Sequence, residues 1–252
     1  MCIKPIFDDV HFFNGSGVAM AAAQFEGKWG LIDKCGKWLI EPAFEKVGRH
    51  GKDMIFVMTG GKWGILDFDG NWVLEPTLDE DPSSHTISFP PFVRIGEKEG
   101  VIDRSGKWLV EPVMDYIFPL DGITRFLCWR SGKWGLKDKD GKWAIEQEHE
   151  ELTRLWPFEE NLFLARKDGK CGLLDGEGNR VTEPDFDDID IKKKMGGFLC
   201  AKSSGRWGLI DRKGNWLIKP DFDDLKMLED GSFSAMANGK WGLFGPKGKI
   251  II

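Results

Sequence analysis

Gly27-Lys28-Trp29-Gly30-Leu31-Ile32-Asp33-Lys34-Cys35-Gly36-Lys37-Trp38-Leu39-Ile40-Glu41-Pro42 holds two short apolar runs separated by a polar turn. The pattern returns from Gly61 to Pro76 and from Gly205 to Pro220. The glycine after the first aromatic position falls at Gly30, Gly64, Gly100, Gly135, Gly172, Gly208 and Gly242, in steps of 34, 36, 35, 37, 36 and 34 residues. A second glycine follows six residues later each time, from Gly36 to Gly248. A fixed offset between two glycines flanked by β-formers predicts a β-hairpin. Asp-x-x-Gly lies between its strands, as in Asp33 to Gly36. The Asp side chain can bond the turn amides, and Gly supplies the left-handed conformation.

A third apolar run precedes each hairpin: Val18–Ala23, Met54–Met58, Phe92–Ile95, Arg125–Trp129, Leu162–Arg166, Phe198–Lys202 and Phe233–Ala237. A connecting segment of the Phe-Asp-Asp-Ile type and a loop lie between hairpin and third run. All length variation falls in that loop, the tolerant part of the repeat. Each unit is too small to bury its apolar face alone and must stack on its neighbours. Units counted this way run near 24–59, 60–95, 96–130, 131–167, 168–203, 204–237, and 238–252 plus 1–23, within a single domain over 1–252. The last copy stops at Gly248-Lys249-Ile250-Ile251-Ile252. The N-terminal Lys4-Pro5-Ile6-Phe7-Asp8-Asp9 matches Lys219-Pro220-Asp221-Phe222-Asp223-Asp224. The expected fold is therefore all-β: a seven-unit, propeller-like ring whose last unit is split between the termini, removing sheet edges. The competing architecture is an open β superhelix.

The paired Gly-Lys-Trp-Gly-Leu-Ile-Asp and Gly-Lys-Trp-Leu-Ile-Glu-Pro motifs resemble the WG-repeat, or KWG-repeat, family, and the resemblance covers nearly the whole chain. It implies a β-rich repeat scaffold, found mostly in bacterial proteins and associated with interactions, with no catalytic residues to carry over. Two copies depart from the pattern. Lys98-Glu99-Gly100 and Lys170-Cys171-Gly172 lack the first Trp, and the latter copy has Arg180 in place of the second.

Composition narrows function. The 252 residues carry a net charge of −6, which disfavours a nucleic-acid partner. No apolar stretch reaches membrane-spanning length, and the N-terminus lacks a signal-like apolar region. Five cysteines without Cys-x-x-Cys spacing fit reduced thiols, and the expected setting is cytoplasmic. His11, His50, His85 and His149 lie in different units without metal-ligand spacing, and each reads as a loop residue. Asp67-Phe68-Asp69-Gly70 and Asp138-Lys139-Asp140-Gly141 read as turns rather than calcium loops. No catalytic residues, cofactor or metal are expected.

Trp29, Trp63, Trp134, Trp207 and Trp241 share one register, and Trp38, Trp72, Trp108, Trp143 and Trp216 another. Regular Trp in a β repeat is packing material. Trp129 and Trp156 fall outside both registers and are candidates for contact surface. Nine residues after each turn glycine stands an acid: Glu45, Asp79, Asp115, Glu150, Asp187 and Asp223, with Asp8 supplying the seventh. These acids can cap turns, present a carboxylate annulus to a cationic partner, or do both. The expected function is a non-catalytic, monomeric protein-binding scaffold for a basic protein, in a toxin-neutralising or regulatory role. The alternative is a propeller-type enzyme or a small-ligand or carbohydrate binder with its site on the ring axis.

Overall fold

The computed structural model describes residues 6–12, 20–48, 54–82, 90–122, 124–155, 161–195, 198–228, 232–245 and 251. Every regular element longer than one residue among them is a strand, and the strands form seven antiparallel sheets of three or four strands. The all-β, seven-unit reading holds. The sheets are counted here from first to seventh along the chain. Whether the termini close a ring depends on residues 1–5, 246–250 and 252, which lie outside the described residues. The seventh hairpin does begin its return, because the Ile251 amide donates to the Leu243 carbonyl at 2.8 Å.

The first sheet shows the plan. Strands Asp9–Phe12, Met20–Phe25, Lys28–Asp33 and Trp38–Phe44 pair in chain order. The second and third are joined by a tight turn, and the third and fourth by the Asp33–Gly36 turn. There Asp33 Oδ1 accepts from the Cys35 and Lys37 amides at 2.8 and 2.9 Å, and Gly36 sits at φ 77°. The connecting Phe-Asp-Asp-Ile segment is itself a strand. It forms the first strand of five more sheets, such as Tyr116–Leu120 and Glu151–Arg154. The hydrogen-bonded sheets therefore start at the acidic position rather than before the hairpin.

Ladder register explains the Trp-Gly and Glu-Pro elements together. Trp29 pairs with Phe44 and Leu31 with Ile40, so Gly30 alone faces a bulge containing Glu41-Pro42-Ala43. Proline, which cannot donate to a ladder, fits such a bulge. The bulge and the Trp38 ring press on Gly30. A Cβ there would lie 2.5 Å from the Ile40 carbonyl oxygen and 2.8 Å from Trp38 Cζ3. Gly64 under Trp72, Gly100 under Trp108, Gly135 under Trp143 and Gly208 under Trp216 repeat the arrangement. The turn glycines have a second duty besides positive φ. A Cβ on Gly106 would meet the Val73 carbonyl oxygen of the preceding sheet at 1.9 Å.

The chain divides into two compact units, residues 1–130 with 137–142, and 131–136 with 143–252. In the first unit, Ala22, Leu31 and Phe44 of the first sheet share a buried cluster with Ile55, Val57 and Leu66 of the second. Phe56, Ile65 and Leu78 then join Val93 and Ile102 of the third. In the second unit, Leu164, Leu173 and Phe186 pack on Ile189, Leu199 and Ile210. Cys200, Leu209 and Leu225 pack on Phe233 and Ala235. The core thus lies between consecutive sheets, as stacking of incomplete units requires. Burial pushes the Cys128 thiol up to about 12 and the Cys171 thiol up to about 11, so both stay protonated core residues.

Two histidines correct the loop assignment. His11 lies in strand Asp9–Phe12 with its ring 4.5 Å from that of Trp29. His149 ends strand Trp143–His149 and is only 8% exposed. His50 and His85 lie outside the described residues.

Candidate interaction surface

Six of the seven acids share one backbone contact. Their backbone amides bond the second strand of the sheet that follows: Asp8 to Gln24, Glu45 to Met58, Asp115 to Trp129, Glu150 to Arg166, Asp187 to Lys202 and Asp223 to Met236, at 2.7–2.9 Å. The carboxylates of six, with Asp79 in place of Asp115, reach the tight turn of the sheet that follows. Asp8 accepts from Gly27, Glu45 from Gly60 and Gly61, Asp79 from Gly96, Glu150 from Asp168 and Gly169, Asp187 from Gly205 and Asp223 from Asn238. These turns hold residues at positive φ, including non-glycine Asp168 and Asn238 at 52°. A carboxylate bonded to their amides offsets part of that strain.

A cation from the preceding hairpin completes five of the sites. Lys62 pairs with Asp79, Lys98 with Asp115, Lys170 with Asp187 and Arg206 with Asp223, while Lys133 reaches Glu150 at 3.2 Å. The acid therefore staples one sheet to the next. The hydrogen bond from Lys170, then that from the Gly205 amide, holds the Asp187 carboxyl below its ordinary value. Lys62 followed by Gly96 does the same for Asp79, and Lys133 followed by Gly169 for Glu150. These contacts supply the capping role of the acids. The sequence carried a signal for the cations, since a Lys or Arg stands seventeen residues before these acids.

Trp129 sits on a different kind of surface. Strands Tyr116–Leu120 and Arg125–Arg130 pair Tyr116 with Trp129 and Phe118 with Leu127. Alternation turns Ile117, Phe126 and Cys128 into the core and leaves the other face outward. Tyr116 is 51% and Phe118 49% exposed. The Tyr116 and Trp129 rings lie 5.5 Å apart. They line an open hollow with Glu80, Arg94, Glu97 and Asp115. Sequence reasoning singled out Trp129 but not Tyr116 or Phe118, which lie in the segment read as a connection. Trp156 lies outside the described residues. Among the described residues, no group of three or more His, Cys, Asp or Glu side chains is placed to hold a metal, and no helix is long and apolar enough to cross a membrane.

The repeated Trp-Gly hairpin matches a known family: the sequence pattern of the WG containing repeat fits residues 2–29, 29–63, 100–122, 134–171 and 207–241. The chain belongs to the WG containing repeat family. Of the unmatched stretches, 172–206 includes the Arg180 departure. Among curated protein sequences none matches the chain significantly. Similar solved structures include PorZ, an essential bacterial surface component of the type-IX secretion system of Porphyromonas gingivalis. It is 11% identical with a TM-score of 0.30, and the match covers 95% of this chain and 37% of that one. A eukaryotic initiation factor is 9% identical with a TM-score of 0.36, covering 100% and 88%. The dihydro-heme d1 dehydrogenase NirN is 12% identical with a TM-score of 0.33, covering 98% and 65%. The chain thus spans about a third of PorZ and just under two thirds of NirN.

Proposed function

We propose that this WG-repeat scaffold is a non-catalytic binding protein that docks a basic protein segment on the Tyr116–Trp129 face. The observation that carries the reading is the outward aromatic pair, with Phe118 beside it, ringed by three carboxylates, Glu80, Glu97 and Asp115, against one cation, Arg94. Large aromatics in a polar surround are the usual anchors of protein interfaces. A partner's Lys or Arg gains twice there, from the ring faces and from the carboxylates. Asp8, Glu45, Asp79, Glu150, Asp187 and Asp223 are engaged locally, so their part is a steering field rather than direct contact, whereas Asp115 both pairs with Lys98 and lines the hollow. The net charge of −6 acts in the same sense. A monomeric chain working in a bacterial cytoplasm, in a regulatory or toxin-neutralising role, belongs to this proposal.

The test is a random peptide library panned against the full chain and against a Tyr116→Ser/Trp129→Ser variant. Enrichment of Lys- and Arg-containing peptides that the variant loses, with affinity falling as salt rises, supports the reading. No enrichment, enrichment without basic bias, or equal retention by the variant overturns it.

A further inference from the structure

The seam between the fourth and fifth sheets differs from the others within the second unit. At two other seams the aromatic residue at the repeat position equivalent to His149 meets the second-register Trp of the next sheet. Phe44 packs edge-on to Trp72 at 6.2 Å, and Phe186 to Trp216 at 5.6 Å. At this seam both partners are replaced. His149 occupies the apolar position, and Arg180 stands where the indole should be. Arg180 is exposed and turned to Glu183 at 2.8 Å. The nearest neighbours of a Cβ on Gly172 would be Glu183-Pro184 backbone atoms at 3.1–3.2 Å, where five other repeats present a Trp ring below 3 Å.

The missing indole leaves a cavity of about 190 Å³, lined by Gly172, Arg180, Thr182, His149, Glu148 and Lys167 among others. A cavity of about 150 Å³ already admits a benzene ring. Its wall is part apolar and part polar. Glu148 and Lys167 close on each other at 2.6 Å, so the rim charges cancel there. His149 is buried, and its Nδ1 has no hydrogen-bond partner among the described residues. An orphaned buried nitrogen is a cost that native structures seldom retain without a use. Burial also lowers the His149 pKa, so the imidazole is neutral near pH 7.

We propose that this seam binds a small, uncharged, planar nitrogen heterocycle, seated where the repeat's second indole is missing. The ring takes the place of the absent tryptophan over Gly172, and the imidazole, whose Nδ1 has almost no accessible surface in the empty seam, turns about its Cβ–Cγ bond to meet the ring's hydrogen-bonding edge. The site differs from the Tyr116–Trp129 face in position and in ligand class, so either can fail alone.

The probes are indole and its isostere indene, which lacks the N–H, titrated into the full chain by calorimetry and by NMR. Indole is expected to bind saturably, with nuclear Overhauser contacts to the Thr182 methyl. His149→Phe, which restores the apolar residue, should weaken indole about tenfold and leave indene unchanged. Arg180→Trp should abolish both by filling the space. The Thr182 contact needs no variant and keeps the test decisive if Arg180→Trp fails to fold. Absence of saturable indole binding, or indole contacts away from Thr182, overturns the site. Equal effects of His149→Phe on the two probes overturn the heterocycle assignment.

Discussion

The fifth and sixth sheets lie side by side in one unit and differ at one device. In the sixth, Trp216 covers Gly208, Trp207 pairs with Phe222, and the fourth strand runs unbroken from Trp216 to Phe222. In the fifth, Cys171 and Arg180 replace both tryptophans, and the fourth strand shrinks to two isolated bridges, Cys171 to Phe186 and Leu174 to Arg180. The fifth sheet keeps its glycine, its Asp175–Gly178 turn and its stapling acid. What it lacks is the ring that presses bulge, glycine and neighbouring sheet together. Turn and staple are thus sufficient to place a hairpin, and the indole is needed to seal it.

The largest effect should come from making the sixth sheet like the fifth. Trp216→Arg removes a ring packed on Phe186 and uncovers Gly208, and should cost about 3 kcal/mol in chemical denaturation. The converse change, Arg180→Trp, fills the fifth-sheet cavity and should add about 1 kcal/mol. A loss there would mean that the fifth seam has relaxed beyond accepting the ring. Asp187 staples the two sheets, and its substitution sharpens the comparison through pH. Its folded-state pKa lies below the ordinary 3.8, so its stabilisation is complete above that value and disappears as pH falls through the lowered one. Asp187→Asn should therefore melt below the wild type at pH 7, and the gap should close below about pH 4. A gap that stays constant with pH would place the effect in packing rather than charge. Glu80→Gln, outside the stapling set, should leave melting almost unchanged, within about 0.5 kcal/mol.

Much of this was readable in residue spacing. The fixed six-residue glycine offset located the hairpin turns of the first six sheets, and the run Phe233–Ala237 was a strand with the expected bounds. In six of the seven sheets the leading strand escaped notice; Lys46–Val47 and Asp224–Met227, for example, are two and four residues long and carry charge. Its signal is one buried apolar residue, such as Leu225 at 0% exposure, which alternation cannot reveal over so short a span. The acids stood out by position, but their Lys partners meet them only once strands are paired. His149 looked like a loop residue because its equivalence to Phe44 and Phe186 depends on aligning the repeats at the fourth strand. The link between Trp-Gly and Glu-Pro was invisible in the same way: it exists through the bulge.

The central claim is that tryptophan and glycine act as one packing device. The direct measurement is the difference in unfolding free energy between Gly208→Ala and Gly172→Ala in the same protein. A Cβ at Gly208 meets the Ile218 carbonyl oxygen at 2.5 Å and the Trp216 ring at 2.6 Å, whereas one at Gly172 meets nothing nearer than 3.1 Å. The account predicts that Gly208→Ala is the more destabilising by about 2 kcal/mol. Equal losses at the two glycines would contradict it.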